Sequence, residues 1–199
     1  MPPIAGSIGR FLLRAGLTTV LAVALVGCSG EAAVSFDPTG PCTSDGSAPG
    51  AYPDLEALVP STYRDEPPTL LDSGRNCSAE ALGTLAGRFE EVRFAGATWT
   101  FGAERAVVLV VFTAPGLDAE AMADFYAEPA RTAPRTEILA QSSPSIADRP
   151  GLRLDTKRVD RLHTVVVWPS AQADHVNVVI TSDLPEPRIE EAIEAFGDD

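Results

Sequence analysis

The sequence contains few of the residue types that several protein functions require. Lysine occurs once, at Lys157, and 15 basic residues stand against 28 acidic ones, which gives a net charge of −13. Binding to a phosphate backbone needs clustered lysine and arginine, so this composition predicts no nucleic-acid partner. The longest apolar run has twelve residues, from Ala15 to Val26, whereas a membrane-spanning helix needs about 20.

Motifs that mark common catalytic sites are also missing. The sequence contains no G-x-S-x-G nucleophile turn, no S-x-x-K pair, no glycine-rich phosphate loop and no D-x-D-x-D-G calcium loop. A hairpin centred between residues 171 and 172 would pair His163 with Ile180 and His175 with Trp168, which places the two histidines roughly 17 Å apart. That separation is too large for one metal ion. We therefore predict no catalytic residues, no metal site and no cofactor.

The first 28 residues form three zones. Arg10 and Arg14 give the opening a positive charge without any acid, the apolar run follows, and Gly27 and Cys28 end the segment. This order is typical of a secretory signal peptide. All 28 acidic residues follow Cys28, so the chain from Cys28 onward has 13 basic residues and a net charge of −15.

The end of this segment, Leu25-Val26-Gly27-Cys28, resembles the lipobox of bacterial lipoproteins. The resemblance implies cleavage between Gly27 and Cys28 and a diacylglycerol thioether on the Cys28 sulfur. It also implies a cell-membrane location, with the protein held by its lipid on the extracytoplasmic face. Two or more acyl chains give durable attachment, whereas one short chain does not. An ordinary signal peptide with a chance cysteine is the alternative.

The other two cysteines are expected to pair. With Cys28 used for lipidation, Cys42 and Cys77 remain, and an oxidising compartment favours a disulfide between them. The bond would close a loop of about 35 residues, worth roughly 3–4 kcal/mol in the chain-entropy model. A metal site is the competing interpretation, but two cysteines without nearby histidines provide too few zinc ligands.

Composition divides the chain into a signal peptide (1–27), a lipidated cysteine with a flexible tether (28–50) and one globular domain (51–199). The tether is rich in glycine, proline and serine. Helical spacing predicts a helix near 52–60 and a second from Ser78 to Phe89. A third is predicted from Asp118 to Pro129, where the proline kinks or ends the helix. The last helix is predicted at the C-terminal end, with Pro187 in its first turn. Strands are predicted at 92–101, 104–114, around 137–141, and at 151–158, 161–168 and 175–182. These elements predict an α+β domain, with helices packed on a mainly antiparallel sheet of about five or six strands. The apolar residues of 106–112 predict a central strand covered on both faces.

A proline-rich segment at residues 60–76 is the candidate for partner binding. We expect a long loop, enclosed by the disulfide, that presents Tyr63, Arg64 and Arg75. Aromatic and arginine side chains favour protein contacts. The alternative is a loop that only covers an edge of the sheet.

These observations lead to a functional hypothesis. We expect a lipid-anchored extracytoplasmic domain with a non-catalytic role, either in binding or as an accessory to an envelope assembly. Its partners would be the membrane, through the lipid, and an envelope protein. The alternative is an envelope hydrolase or other enzyme, whose scattered site residues no spacing rule detects.

Overall fold

Strand β4 (Ala106–Thr113) lies at the centre of the fold in a computed structural model, which describes residues 36–102 and 105–197. Its side chains are buried on both faces of the sheet, as predicted. Val107, Leu109 and Val111 pack into one core, while Val110 and Phe112 pack into another. Alternate residues of a strand point to opposite faces, so an apolar run without alternation suits a strand covered on both sides.

Strand β4 belongs to an eight-stranded sheet whose neighbouring strands all pair antiparallel. The strands are β1 (Gly46–Ala48), β2 (Leu70–Asn76), β3 (Val92–Thr100), β4, β5 (Thr136–Ser142), β8 (Leu152–Arg158), β9 (Arg161–Pro169) and β10 (His175–Ser182). Their order across the sheet is β1-β2-β3-β4-β10-β9-β8-β5. A separate two-stranded sheet pairs β6 (Ser145–Ile146) with β7 (Arg149–Pro150).

Helices cover both faces of the large sheet. On one face, α1 (Pro53–Glu56) and α4 (Glu186–Glu194) contribute Leu55, Ile189 and Ala192 to a core around Trp99 and Trp168. On the other face, α2 (Ala79–Leu82), a 3₁₀ turn (Gly83–Leu85) and α3 (Ala119–Thr132) cover the second core. The α+β class and the mainly antiparallel sheet are therefore confirmed.

The sheet has more strands than the predicted five or six, because two strands lie where the sequence indicates a tether and a loop. Strand β1 falls within residues 28–50, and strand β2 falls within residues 60–76. The compact unit begins at Phe36, so its boundary lies earlier than the expected Ala51. Only residues 28–35 of the predicted tether precede this unit, and they lie outside the described residues.

One helix end differs from prediction, and for another helix one of the two predicted alternatives is excluded. Helix α3 begins after its N-cap Asp118, as expected, but continues past Pro129 to Thr132. Helix α2 begins after its N-cap Ser78 as expected and ends at Leu82, before a 3₁₀ turn that Gly83 begins with φ of +50°. A left-handed backbone at Gly83 cannot continue a right-handed helix, which explains the early end.

The β9–β10 hairpin has a register two residues away from the predicted one. His163 pairs with Ser182 instead of Ile180, and strand β9 extends to Pro169, so the loop spans residues 170–174. The Ser170 N–H donates to the His175 carbonyl at 3.0 Å, and Asp174 has φ of +63°. Since the shift is even, each strand keeps the predicted residues on the predicted face.

Candidate functional site

The predicted lipobox and the predicted disulfide lie on opposite sides of the boundary at Phe36. Gly27 and Cys28 lie outside the described residues. The disulfide between Cys42 and Cys77 is present, with their Cα atoms 5.8 Å apart, and it braces the N-terminal part of the folded unit as predicted. No helix among residues 36–102 and 105–197 has the length and apolar character needed to cross a bilayer.

Arg75 holds the N-terminal segment of the folded unit from within the protein. Its side chain is buried, and its guanidinium donates to the carbonyls of Gly40 at 2.7 Å, Asp37 at 3.0 Å and Pro41 at 3.1 Å. It also lies 5.5 Å from the centre of the Phe36 ring. The expectation that Arg75 is presented on a loop is therefore wrong, because Arg75 belongs to strand β2 and ties the chain to itself.

Tyr63 is likewise a core residue rather than a surface one. Its side chain is 2% exposed, packs edge-on against Trp99 and donates from its hydroxyl to the Arg188 carbonyl at 3.0 Å. Arg64 is about half exposed and pairs with Glu191 at 3.5 Å. The structure therefore does not bring Tyr63, Arg64 and Arg75 together on one exposed loop, and we look elsewhere for the site.

The alternative of a metal site at the cysteines has a partial geometric basis. Ligand atoms of Cys42, Cys77 and Glu91 lie within 4.8 Å of one another. However, the two sulfurs are bonded to each other and are not thiolates, which are the form that binds zinc. The group then offers one carboxylate, and that carboxylate already pairs with Arg93 and Arg75.

A cleft at one end of the sheet gathers polar side chains from four separate elements. It has a volume of about 480 Å³ and opens between helix α1 and the ends of strands β3, β4 and β10. We call it the sheet-end cleft. Its lining includes Tyr52, Asp54, Leu58, Arg93, Thr113, Gln172 and His175. Ligand sites in proteins have volumes of about 300–1,000 Å³ and a few convergent polar groups, and this cleft fits that description.

The pairing of strands β3, β4 and β10 brings together the residues on the floor of the sheet-end cleft. Arg93 pairs with Thr113 across β3 and β4, and Thr113 pairs with His175 across β4 and β10. Paired residues of antiparallel strands project to the same face, so these three side chains form a row directly opposite helix α1. Thr113 lies on the same face of strand β4 as Leu109 and Val111, which belong to the core on that side of the sheet.

Tyr52 packs beside Arg93 in the cleft. The Arg93 guanidinium lies 5.0 Å from the centre of the Tyr52 ring and hydrogen-bonds to Glu91. The hydrogen bond with Glu91 raises the pKa of Arg93. Tyr52 is held in turn by its backbone N–H, which donates to the Ser73 hydroxyl at 2.7 Å. The cleft therefore presents an aromatic surface beside a permanent positive charge.

His175 offers the cleft a hydrogen-bonding ring of defined orientation. Its Nδ1 lies 2.7 Å from the Ala173 carbonyl, which can only accept, so Nδ1 carries the proton. In the neutral ring this leaves Nε2 as an acceptor. Gln172, in the exposed hairpin loop, lines the cleft beside it. The place of His175 on the cleft floor depends on the β4–β10 pairing.

His163 makes a separate hydroxyl–imidazole contact. Its Nδ1 lies 2.9 Å from the Ser182 hydroxyl oxygen, with which it is also paired across β9 and β10. Neither residue lines the sheet-end cleft. We assign this contact to cross-strand stabilisation.

The shifted pKa values fall mainly on groups with structural roles. Hydrogen bonds from Arg153 lower the pKa of Glu186 at the start of helix α4, and burial raises the pKa of Tyr63. Backbone N–H donors lower the pKa of Asp45 and of Asp118. Catalytic sites commonly concentrate such shifts in one cleft. In the sheet-end cleft, the pKa of Arg93 is raised by its hydrogen bond with Glu91, with which it is already ion-paired.

Comparison with protein families and with curated proteins yields no relatives on which to base a function. No protein-family model matches the chain, and no curated protein matches it significantly. The functional argument therefore depends on the residues of this chain.

Proposed function

We propose that this protein is a lipid-anchored extracytoplasmic binding domain, without catalytic activity, that engages an envelope ligand or partner at the sheet-end cleft. The observation that carries the proposal is the row Arg93–Thr113–His175 on the cleft floor, facing helix α1 across a cavity of about 480 Å³. These groups supply a fixed cation, a hydroxyl and an imidazole acceptor, which suit a polar ligand.

The surroundings of the cleft support a binding role. Thr113 ends strand β4 and His175 begins strand β10, which are the two middle strands of the sheet, and Arg93 is the second residue of the adjacent strand β3. Side chains on paired strands are held more firmly than those on free loops, which reduces the entropy lost on binding. The hairpin loop is exposed, and its residue Gln172 lines the same cleft.

Photo-crosslinking in intact cells tests the binding role. A p-benzoylphenylalanine introduced in place of Gln172 should give a discrete, saturable adduct. The same probe in place of Glu128, an exposed acid on helix α3, serves as the matched control and should not. Equal labelling at both positions, together with turnover of envelope substrates by the purified protein, would overturn the proposal.

A separate experiment tests the lipid anchor. Cys28→Ser should abolish incorporation of a labelled fatty acid and release the protein from membranes, because the thioether cannot form. The double change Cys42→Ser with Cys77→Ser keeps Cys28 and should retain the label. Unchanged labelling of the Cys28→Ser protein would show that the lipobox assignment is wrong.

One observation favours the hydrolase alternative. Thr113 and His175 are neighbours across β4 and β10, and a hydroxyl beside an imidazole acceptor is the arrangement used by hydrolytic nucleophiles. No hydrogen bond joins these two side chains in the part of the chain that the structure describes. Turnover of an ester or amide substrate that Thr113→Val abolishes, with binding retained, would support this alternative.

A further inference from the structure

A second cavity lies along the same hairpin. It has a volume of about 790 Å³ and is lined by the β9–β10 hairpin, the start of helix α3 and the start of strand β8. We call it the hairpin groove. Gln172 and His175 line both the sheet-end cleft and the hairpin groove, so an occupant of the groove lies against the proposed binding site.

The floor of the hairpin groove is apolar. Buried Leu117 and half-buried Leu152 and Pro169 form it, and Pro150, Ala171 and Ala173 add exposed apolar side chains to the lining. Leucine and proline side chains in a groove stabilise a bound segment by removing its apolar side chains from water. A purely polar occupant would leave this surface without a partner.

The rim of the hairpin groove is acidic. Asp118, Glu120 and Asp174 line it, whereas none of the residues lining this groove is lysine or arginine. Asp174 uses one carboxylate oxygen to accept the Gly116 N–H at 3.0 Å, and the Glu120 side chain makes no hydrogen bond or ion pair within the described residues. A carboxylate offers about four acceptor positions, so both carboxylates keep acceptors for a ligand.

Asp118 is a weaker part of this rim. Its Oδ1 caps helix α3 by accepting the Ala121 N–H at 2.7 Å, and its Oδ2 lies 3.2 Å from Arg88. The capping bond lowers the pKa of Asp118, so its charge persists and offsets the positive end of the helix. The net charge available to an occupant therefore comes mainly from Glu120 and Asp174.

From this geometry we infer that the hairpin groove holds an extended, cationic and partly apolar peptide segment of a partner protein. Alternate residues of an extended segment point to opposite sides, so one side can meet the apolar floor while lysine or arginine on the other reaches the acidic rim. An anionic occupant would meet repulsion from the rim and from the overall charge of the chain. The inference rests on the proposed binding function and specifies the partner.

Synthetic peptides test this inference with the intact protein in a non-ionic detergent and a detergent-only blank. The probe is a fluorescent seven-residue peptide of alternating lysine and leucine, and the comparison peptides replace lysine by glutamate or leucine by serine. Fluorescence anisotropy should show that the lysine–leucine peptide binds at least about tenfold more tightly than either comparison peptide, a difference of about 1.4 kcal/mol.

Charge-neutralising variants locate the binding. Glu120→Gln and Asp174→Asn should each weaken binding of the lysine–leucine peptide about two- to fivefold, as expected for exposed ion pairs, and added salt should reduce the difference. Asparagine tolerates the positive φ of residue 174 and can still accept the Gly116 N–H, so that variant should fold. Glu128→Gln, at an exposed acid outside the groove, should leave the affinity unchanged.

The outcomes separate this inference from the proposed function. Equal affinity for the lysine and glutamate peptides, or variants of the groove that behave like Glu128→Gln, would overturn the inference. If the crosslink from position 172 persists alongside those results, the proposed binding function stands and the inference that the bound segment is cationic is wrong. If the crosslink is also absent, both proposals fail.

Discussion

The N-terminal brace and the hairpin end of the sheet use polar side chains in opposite ways. We define the brace as residues 36–45 with Arg75 and Cys77. In the brace, Arg75 and the carboxylate of Asp45 form hydrogen bonds with the protein's own backbone. At the hairpin end, Thr113 and Gln172 face cavities. The brace therefore stabilises the fold, whereas the hairpin end is the surface to which we propose a recognition role. Substitutions in the two regions should therefore differ in what they damage.

The largest loss of stability should come from Arg75→Met. Methionine keeps much of the apolar stem but leaves the carbonyls of residues 37, 40 and 41 without a buried donor, so we expect the free energy of unfolding to fall by about 3–4 kcal/mol. Urea denaturation measures the effect. Arg64→Met, at a half-exposed arginine with one ion pair, should cost less than about 1 kcal/mol. Equal losses in the two variants would contradict the buried role of Arg75.

Removal of the disulfide should have the next largest effect. Replacing Cys42 and Cys77 together by serine should lower the free energy of unfolding by about 2–4 kcal/mol, because the bond closes a loop across a sequence separation of 35. Combined with Arg75→Met, the loss should be smaller than the sum, since both features hold the same segment. Strict additivity in urea denaturation would show that the two act independently.

A smaller effect should follow from Asp45→Asn. Hydrogen bonds from the Cys77 N–H and from Ser78 lower the pKa of Asp45, so the carboxylate stabilises the folded state above pH 4. That contribution is lost as the pH falls through the lowered pKa. The variant should be less stable at pH 7, by at most about 1 kcal/mol because the carboxylate is exposed, and its difference from the parent should be smaller at pH 3.

Denaturation at both pH values checks this expectation. Asp124→Asn, at an exposed acid within helix α3, provides the control and should change the free energy of unfolding by less than about 0.5 kcal/mol. A difference between Asp45→Asn and the parent protein that is as large at pH 3 as at pH 7 would assign the effect to something other than the carboxylate charge.

Much of the sheet could be predicted from the sequence because its core strands carry a clear apolar pattern. Strands β4, β9 and β10 and both N-caps, Ser78 and Asp118, were predicted at or near their observed positions. Strand β2 was missed because its buried inward residues are Ser73 and Arg75, which read as a polar loop. Both side chains can be buried because their polar groups form hydrogen bonds. Ser73 donates to Glu56, and Arg75 donates to the carbonyls of residues 37, 40 and 41.

The sheet-end cleft could not be predicted for a different reason. Arg93, Thr113 and His175 are separated by tens of residues in sequence and meet only through the pairing of β3, β4 and β10. No short motif marks residues that share a row of a sheet. A correct strand order would have identified them, since each lies at or next to the end of its strand.

The smallest effect on stability, and the sharpest test of the comparison, should come from Gln172→Ala. The side chain is exposed in the hairpin loop, so the free energy of unfolding should change by less than about 0.5 kcal/mol. If the hairpin end is the recognition surface, the same change should reduce the crosslink formed by a photo-reactive residue in place of Ala171, which also lines the groove. Arg75→Met should show the reverse pattern below its unfolding temperature, with stability lost and crosslinking retained. A Gln172→Ala protein that loses stability yet crosslinks normally would reverse the roles assigned to the two regions.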